Sequence, residues 1–186
     1  METFKLKNGN TLKIYQDMSP SNPREDFDNM CEMYCFHRRY NLGDSNDVQT
    51  CEYESLEDII EGWTLPSDIV VDLYLYDHGN LSISTSPYHC RWDSGKIGFA
   101  VIPVNTIVKE YGDDSQESRE KALKCLLAEV KIYDQYLSGQ CYGYVLEDAE
   151  GEEIDSCWGF YGYDHESSGL FETAGVQCKE ELEEIA

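Results

Sequence analysis

Three soft ligands fall within seven residues at Cys31-x3-Cys35-x-His37, and His89-Cys90 offers two more further along the chain. Thiolate and imidazole at this density are the donor set of a tetrahedral zinc centre, although the spacing departs from the paired-ligand knuckles of zinc domains. Flanked by Met33, Tyr34 and Phe36, the same thiols equally suit the interior of a core. Cys31, Cys35, His37, His89 and Cys90 therefore stand as an alternative metal site to a reading without cofactor. Asp77-His78-Gly79 and Asp93-Ser94-Gly95 put oxygen donors at turns, but neither runs on into a calcium loop, and turn chemistry accounts for both.

Nucleophilic catalysis needs a base held beside a thiol or hydroxyl. The available pairs, Cys35 with His37 and Cys157 ahead of Trp158-Gly159, sit in no nucleophile elbow or protease signature, and no phosphate-cradling glycine loop is present. The expectation is a protein that binds and does not catalyse. Trp158, Phe160, Tyr161 and Tyr163, interleaved with Gly159 and Gly162, form an aromatic cluster at a strand exit that suits anchoring a protein partner. Arg38 and Arg39, in an acidic stretch, are expected to pair with carboxylates.

The elements that must position these residues read as hairpins and helices. Phe4–Tyr15 alternates apolar and polar about Asn8-Gly9, the strongest short-range hairpin signal. Asn22-Pro23 caps a short helix running toward Cys31, and Ser55-Leu56-Glu57-Asp58 resembles a capping box opening a two-turn helix. Residues 69–76 and 81–85 flank a turn and predict a second hairpin, residues 97–104 a further strand, and Asn105 a cap for a helix ending near Gly112. Between Ser115 and Ser138 the apolar residues Ala122, Leu126, Val130, Tyr133 and Leu137 keep helical spacing, and Gly139 stands where such a helix should stop. Residues 142–147 and 154–160 bracket Glu150-Gly151 as a third hairpin, and the Glu-rich tail reads as turns or helix. The predicted fold is α+β: an antiparallel sheet built from hairpins, covered on one side by one long helix and several short ones. It is read as one acidic domain over residues 1–186, with the hairpin of residues 1–18 as a peripheral element.

Charge narrows the partner. Against 14 Lys and Arg stand 37 Asp and Glu, a net charge of −23 in 186 residues, while 41% apolar residues exclude a disordered acidic tail. Direct binding to nucleic acid or an anionic membrane would set like charge against like. No apolar run reaches the ~20 residues of a membrane span and no signal peptide opens the chain. The expectation is a cytoplasmic protein whose eight cysteines are reduced. Residues 19–63 carry three Arg against eleven acids, and residues 140–186 one Lys against thirteen. Duplex DNA carries one charge per ~1.7 Å of axis, so this chain matches the charge of about a dozen base pairs. That charge suits a nucleic-acid mimic, and it equally suits acidic side chains that simply solvate the protein. Glu147, Asp148, Glu150, Glu152 and Glu153, crowded about one turn, are the expected contacts to a basic partner, with Trp158 and Tyr161 beside them.

Several longer stretches carry a resemblance: Asn22-Pro23-Arg24, Cys35-Phe36-His37-Arg38-Arg39-Tyr40-Asn41-Leu42-Gly43-Asp44, Tyr74-Leu75-Tyr76-Asp77-His78-Gly79, Trp92-Asp93-Ser94-Gly95, Tyr133-Asp134-Gln135-Tyr136-Leu137 and Asp155-Ser156-Cys157-Trp158-Gly159-Phe160-Tyr161-Gly162. Together they resemble a family of small acidic proteins encoded by bacteriophages and mobile elements. The class it looks most like is that of anti-CRISPR proteins acting on the type II effector nuclease. The resemblance implies an inhibitor of a host defence nuclease, working in the infected bacterium by occupying its nucleic-acid-binding surface. A metal- or thiol-dependent phage enzyme and an accessory phage protein are the alternatives.

Overall fold

The computed structural model describes residues 1–90, 92–176 and 182–184. Along the chain lie β1 (Glu2–Leu6), β2 (Thr11–Gln16), α1 (Pro23–Asp26), β3 (Glu32–Cys35), α2 (Leu56–Trp63), β4 (Ile69–His78), β5 (Asn80–Ser84), β6 (Ser94–Ile102), α3 (Val104–Tyr111), α4 (Gln116–Leu137), β7 (Cys141–Glu147), β8 (Glu153–Tyr161), α5 (Leu170–Thr173) and β9 (Leu182–Glu184). The class is α+β, as expected, but the strands form two antiparallel sheets in place of one. The chain divides into two compact units, one of residues 1–21 with 138–186 and one of residues 22–137.

In the first unit the strand order is β8-β7-β2-β1-β9. The β1–β2 hairpin turns at Gly9, whose φ of +93° favours glycine, and β2 then pairs with β7 from Thr11↔Glu147 to Gln16↔Tyr142. The N-terminal hairpin is thus a central part of its sheet. One face buries Leu6, Leu12, Ile14 and Tyr144 against Leu170, Phe171 and Val176. The tail contributes a strand at Leu182–Glu184 where turns or helix were expected. Its other acidic residues and Cys178 lie outside the described residues.

In the second unit the order is β3-β6-β4-β5. Strand β6 is apolar on both faces, so the sheet is covered on both and not on one. Ala100 and Ile102 pack toward Ala122, Leu126, Val130 and Tyr133 of α4, and Phe99 and Val101 pack with Ile59 of α2. The capping box of α2 forms, with Ser55 Oγ accepting from Asp58 N and Ser55 N donating to Asp58 Oδ2. Helix α1 stops at Asp26, short of Cys31, because the Asn29 amide takes the carbonyls of Pro23 and Phe27 that a further turn would use. Strand β6 spans 94–102 and not 97–104, and α3 starts one residue ahead of Asn105. Its first amide, Val104 N, donates to Asp68 Oδ1, a cap from a distant loop.

Candidate functional site

The acidic turn is built by two of its own carboxylates. Asp148 Oδ1 accepts from the amides of Glu150 and Glu152 at 3.0 and 2.9 Å, and Asp148 N donates to Glu152 O at 2.9 Å. Gly151 takes φ +89° to close the loop. Glu147 forms an ion pair with Lys13 across the β2–β7 ladder, and this bond raises the pKa of the lysine. Glu147 and Asp148 therefore hold the hairpin in shape. Glu150, Glu152 and Glu153 are left exposed at its tip, with Ser156 Oγ donating to Glu153. Of the five expected contact residues, Glu147 and Asp148 are thus engaged within the hairpin and Glu150, Glu152 and Glu153 are the exposed ones.

Beyond the turn, β8 carries the aromatic residues. Registers Gly143↔Trp158 and Tyr142↔Phe160 leave Gly159 unpaired at φ +91°, a bulge that sends Trp158 and Phe160 to opposite faces of the sheet. Phe160 joins the core beside Tyr144. Trp158 lies over Gly143 with its ring 6.3 Å from that of Tyr15, and stays 49% exposed. Tyr161 is half-buried and donates its hydroxyl to Ser21 O at 2.6 Å. Trp158 thus stays available to a partner, while Tyr161 ties down the chain at residue 21. The Tyr144 hydroxyl donates to Asp155 Oδ2 at 2.6 Å; burial first, and then this bond, push that phenol up.

The alternative metal set does not assemble. Cys31 and Cys35 are buried on β3 and in the turn before it, and burial raises both thiols, Cys35 to about 12. Cys31 Sγ donates to Glu129 Oε2 at 3.0 Å. His37 instead stacks on Tyr40, His89 is exposed, and Cys90 Sγ meets Asp93 Oδ2 at 3.5 Å. Among the described residues no group of three or more His, Cys, Asp or Glu side chains is placed to hold a metal ion. Cys157 Sγ lies 3.9 Å from the Trp158 carbonyl oxygen.

Sequence reasoning missed two arrangements in the second unit. Arg24, with 2% of its side chain exposed, donates to both Asp44 oxygens at 2.9 and 2.7 Å, to Glu129 at 3.1 Å and to Cys31 O at 2.6 Å. Arg39 does pair as expected, with Asp77, but at the surface; the buried ionic centre belongs to Arg24. The signal was in the sequence only as Asn22-Pro23, which starts the helical turn that carries Arg24. The two Asp-containing turns also meet: Asp77, Asp93, Ser94 and Trp92 line a cleft of about 340 Å³ with His37 and Arg39. His78 Nδ1 stands 3.2 Å from Asp93, and Trp92 is 95% exposed on the rim.

No family model, curated protein or solved structure matches the chain. Among the described residues no helix is long and apolar enough to cross a membrane.

Proposed function

We propose that this chain is a non-catalytic acidic binding protein that occupies a basic, nucleic-acid-binding surface of another protein. The observation that carries this reading is the hairpin at Glu147–Glu153, where one carboxylate and one ion pair hold a turn that leaves Glu150, Glu152 and Glu153 exposed to solvent. On a chain of net charge −23, such a tip presents fixed negative charge without disturbing the core. The resemblance to small acidic proteins of phages and mobile elements makes a type II CRISPR effector nuclease the partner to test first.

The test is the triple variant Glu150→Gln, Glu152→Gln, Glu153→Gln. It should melt as the parent does and inhibit DNA cleavage by the nuclease more weakly, with most of the loss in the association rate. Undiminished inhibition at physiological salt would remove the hairpin from the interface. Absence of inhibition by the parent would overturn the choice of partner.

A further inference from the structure

Among the described residues the two sheets have four edges, and three of them are closed or short. On β3, Met33 N donates to Asp44 Oδ2 at 2.7 Å, Asp44 N donates to Met33 O at 2.8 Å, and Tyr34 bridges to Gly43. On β5, Ile83 N donates to Asp134 Oδ1 of α4 at 2.9 Å. Strand β9 has three residues. The fourth edge, β8, is nine residues long, and among the described residues no strand pairs with it beyond β7. Six of its nine residues are exposed, including Ile154 at 53% and Trp158 at 49%. A long edge carrying apolar side chains is a template for another strand, a hazard that folded proteins otherwise suppress.

We propose that β8 is a strand-addition site, at which an extended basic segment of the partner pairs with the sheet. This rests on the reading of the protein as an acidic binder and says how the partner is held. Register limits the site. Bulges at Ile154 and Gly159 interrupt the ladder, so the regular edge is Asp155–Trp158, which pairs on its inner side from Leu146 to Gly143. Backbone bonds over these four residues supply affinity, and side chains supply selection. Glu153 and Asp155, with Glu150 and Glu152 in the adjoining turn, call for Lys or Arg at one end of the added strand. The exposed indole of Trp158 offers an apolar or cation–π contact at the other. A second copy is the wrong occupant, because it would set one acidic edge against another on molecules that each carry −23.

The experiment uses the full chain and two blocked nine-residue peptides of alternating Lys and Val, equal in charge, one with all of its backbone amides N-methylated so that neither edge can donate. At low salt the unmodified peptide should bind at least about fivefold more tightly, since only it completes the ladder. It should also slow hydrogen exchange at the amides of residues 155–158. Equal binding of the two peptides with unchanged exchange there would overturn strand addition and leave the acidic-surface reading standing. Binding of neither would overturn both. Concentration-dependent protection of 155–158 without peptide, together with a dimer by light scattering, would assign the edge to a second copy and overturn the proposal.

Discussion

The indole of Trp158 lies directly over Gly143 on the neighbouring strand, so close that a Cβ on Gly143 would overlap the ring at its Cγ, Cδ2 and Cε3 atoms. A Gly143→Ala chain must therefore swing Trp158 away from the sheet or move the strand. The expected cost is about 1–3 kcal/mol in chemical denaturation, with a change in tryptophan emission. In a Trp158→Ala background the same substitution should cost much less, and that coupling is the check. Equal cost in both backgrounds would mean that the overlap is relieved elsewhere.

Removing the Arg24 guanidinium leaves Asp44 and Glu129 facing each other with their shared cation gone. Burial lowers the pKa of this arginine, but bonds to Asp44 and Glu129 outweigh it and keep the group charged. Arg24→Met should destabilise the second unit by about 3–5 kcal/mol, measured by urea unfolding. Adding Asp44→Asn and Glu129→Gln should recover part of the loss. A cost near zero for Arg24→Met would show that the ion cluster contributes nothing.

The cysteines should react in order of exposure. Burial raises Cys35 to about 12, and Cys125 and Cys141 to about 11, so at pH 8 these thiols stay protonated, and Cys35 and Cys141 are shielded as well. Cys51 is exposed. Brief alkylation of the native protein, mapped by mass spectrometry, should label Cys51 well before Cys31, Cys35 or Cys141. Labelling of Cys35 as fast as Cys51 would contradict its placement in the core.

Asp113 sets part of the acid limb of stability. Bonds from Ser118 and Ser115 at the start of α4 lower its carboxyl from 3.8 to about 2. A depressed folded pKa contributes stability above the unfolded value and loses it as pH falls through the folded one. Asp113→Asn should therefore melt below the parent at pH 6, and the two melting temperatures should converge between about pH 4 and pH 2. A constant difference across that range would assign the effect to shape and not to charge.

What the sequence made legible was local. Asn8-Gly9, Glu150-Gly151 and the capping box at Ser55 each announce their element within a few residues, and the four-four-three spacing from Ala122 to Tyr133 marks the buried side of α4. Long-range pairing left no such mark: nothing near Lys13 points to Glu147, so the joining of β2 to β7 and the split into two sheets emerge only in the fold. The candidate site was half legible for the same reason. Five clustered acids are visible in the sequence, but the division between Glu147 and Asp148, which build the turn, and Glu150, Glu152 and Glu153, which face solvent, depends on Lys13 and on backbone amides. The aromatic run, legible only as a cluster, divides between two faces because Gly159 adds one unpaired residue between Trp158 and Phe160, and Arg24 is hidden because its two acid partners come from distant segments.

The central claim, that this chain takes the place of nucleic acid on a basic protein surface, is tested most directly by equilibrium competition. Fluorescently labelled target DNA is held on a guide-loaded type II CRISPR effector, and its anisotropy is followed as the chain is added at about 0.05, 0.15 and 0.3 M salt. The account predicts displacement of the DNA at the lowest salt, with the concentration for half-displacement rising steeply as salt increases. DNA that stays bound at the lowest salt under a large excess of the chain, or displacement that ignores salt, would contradict it.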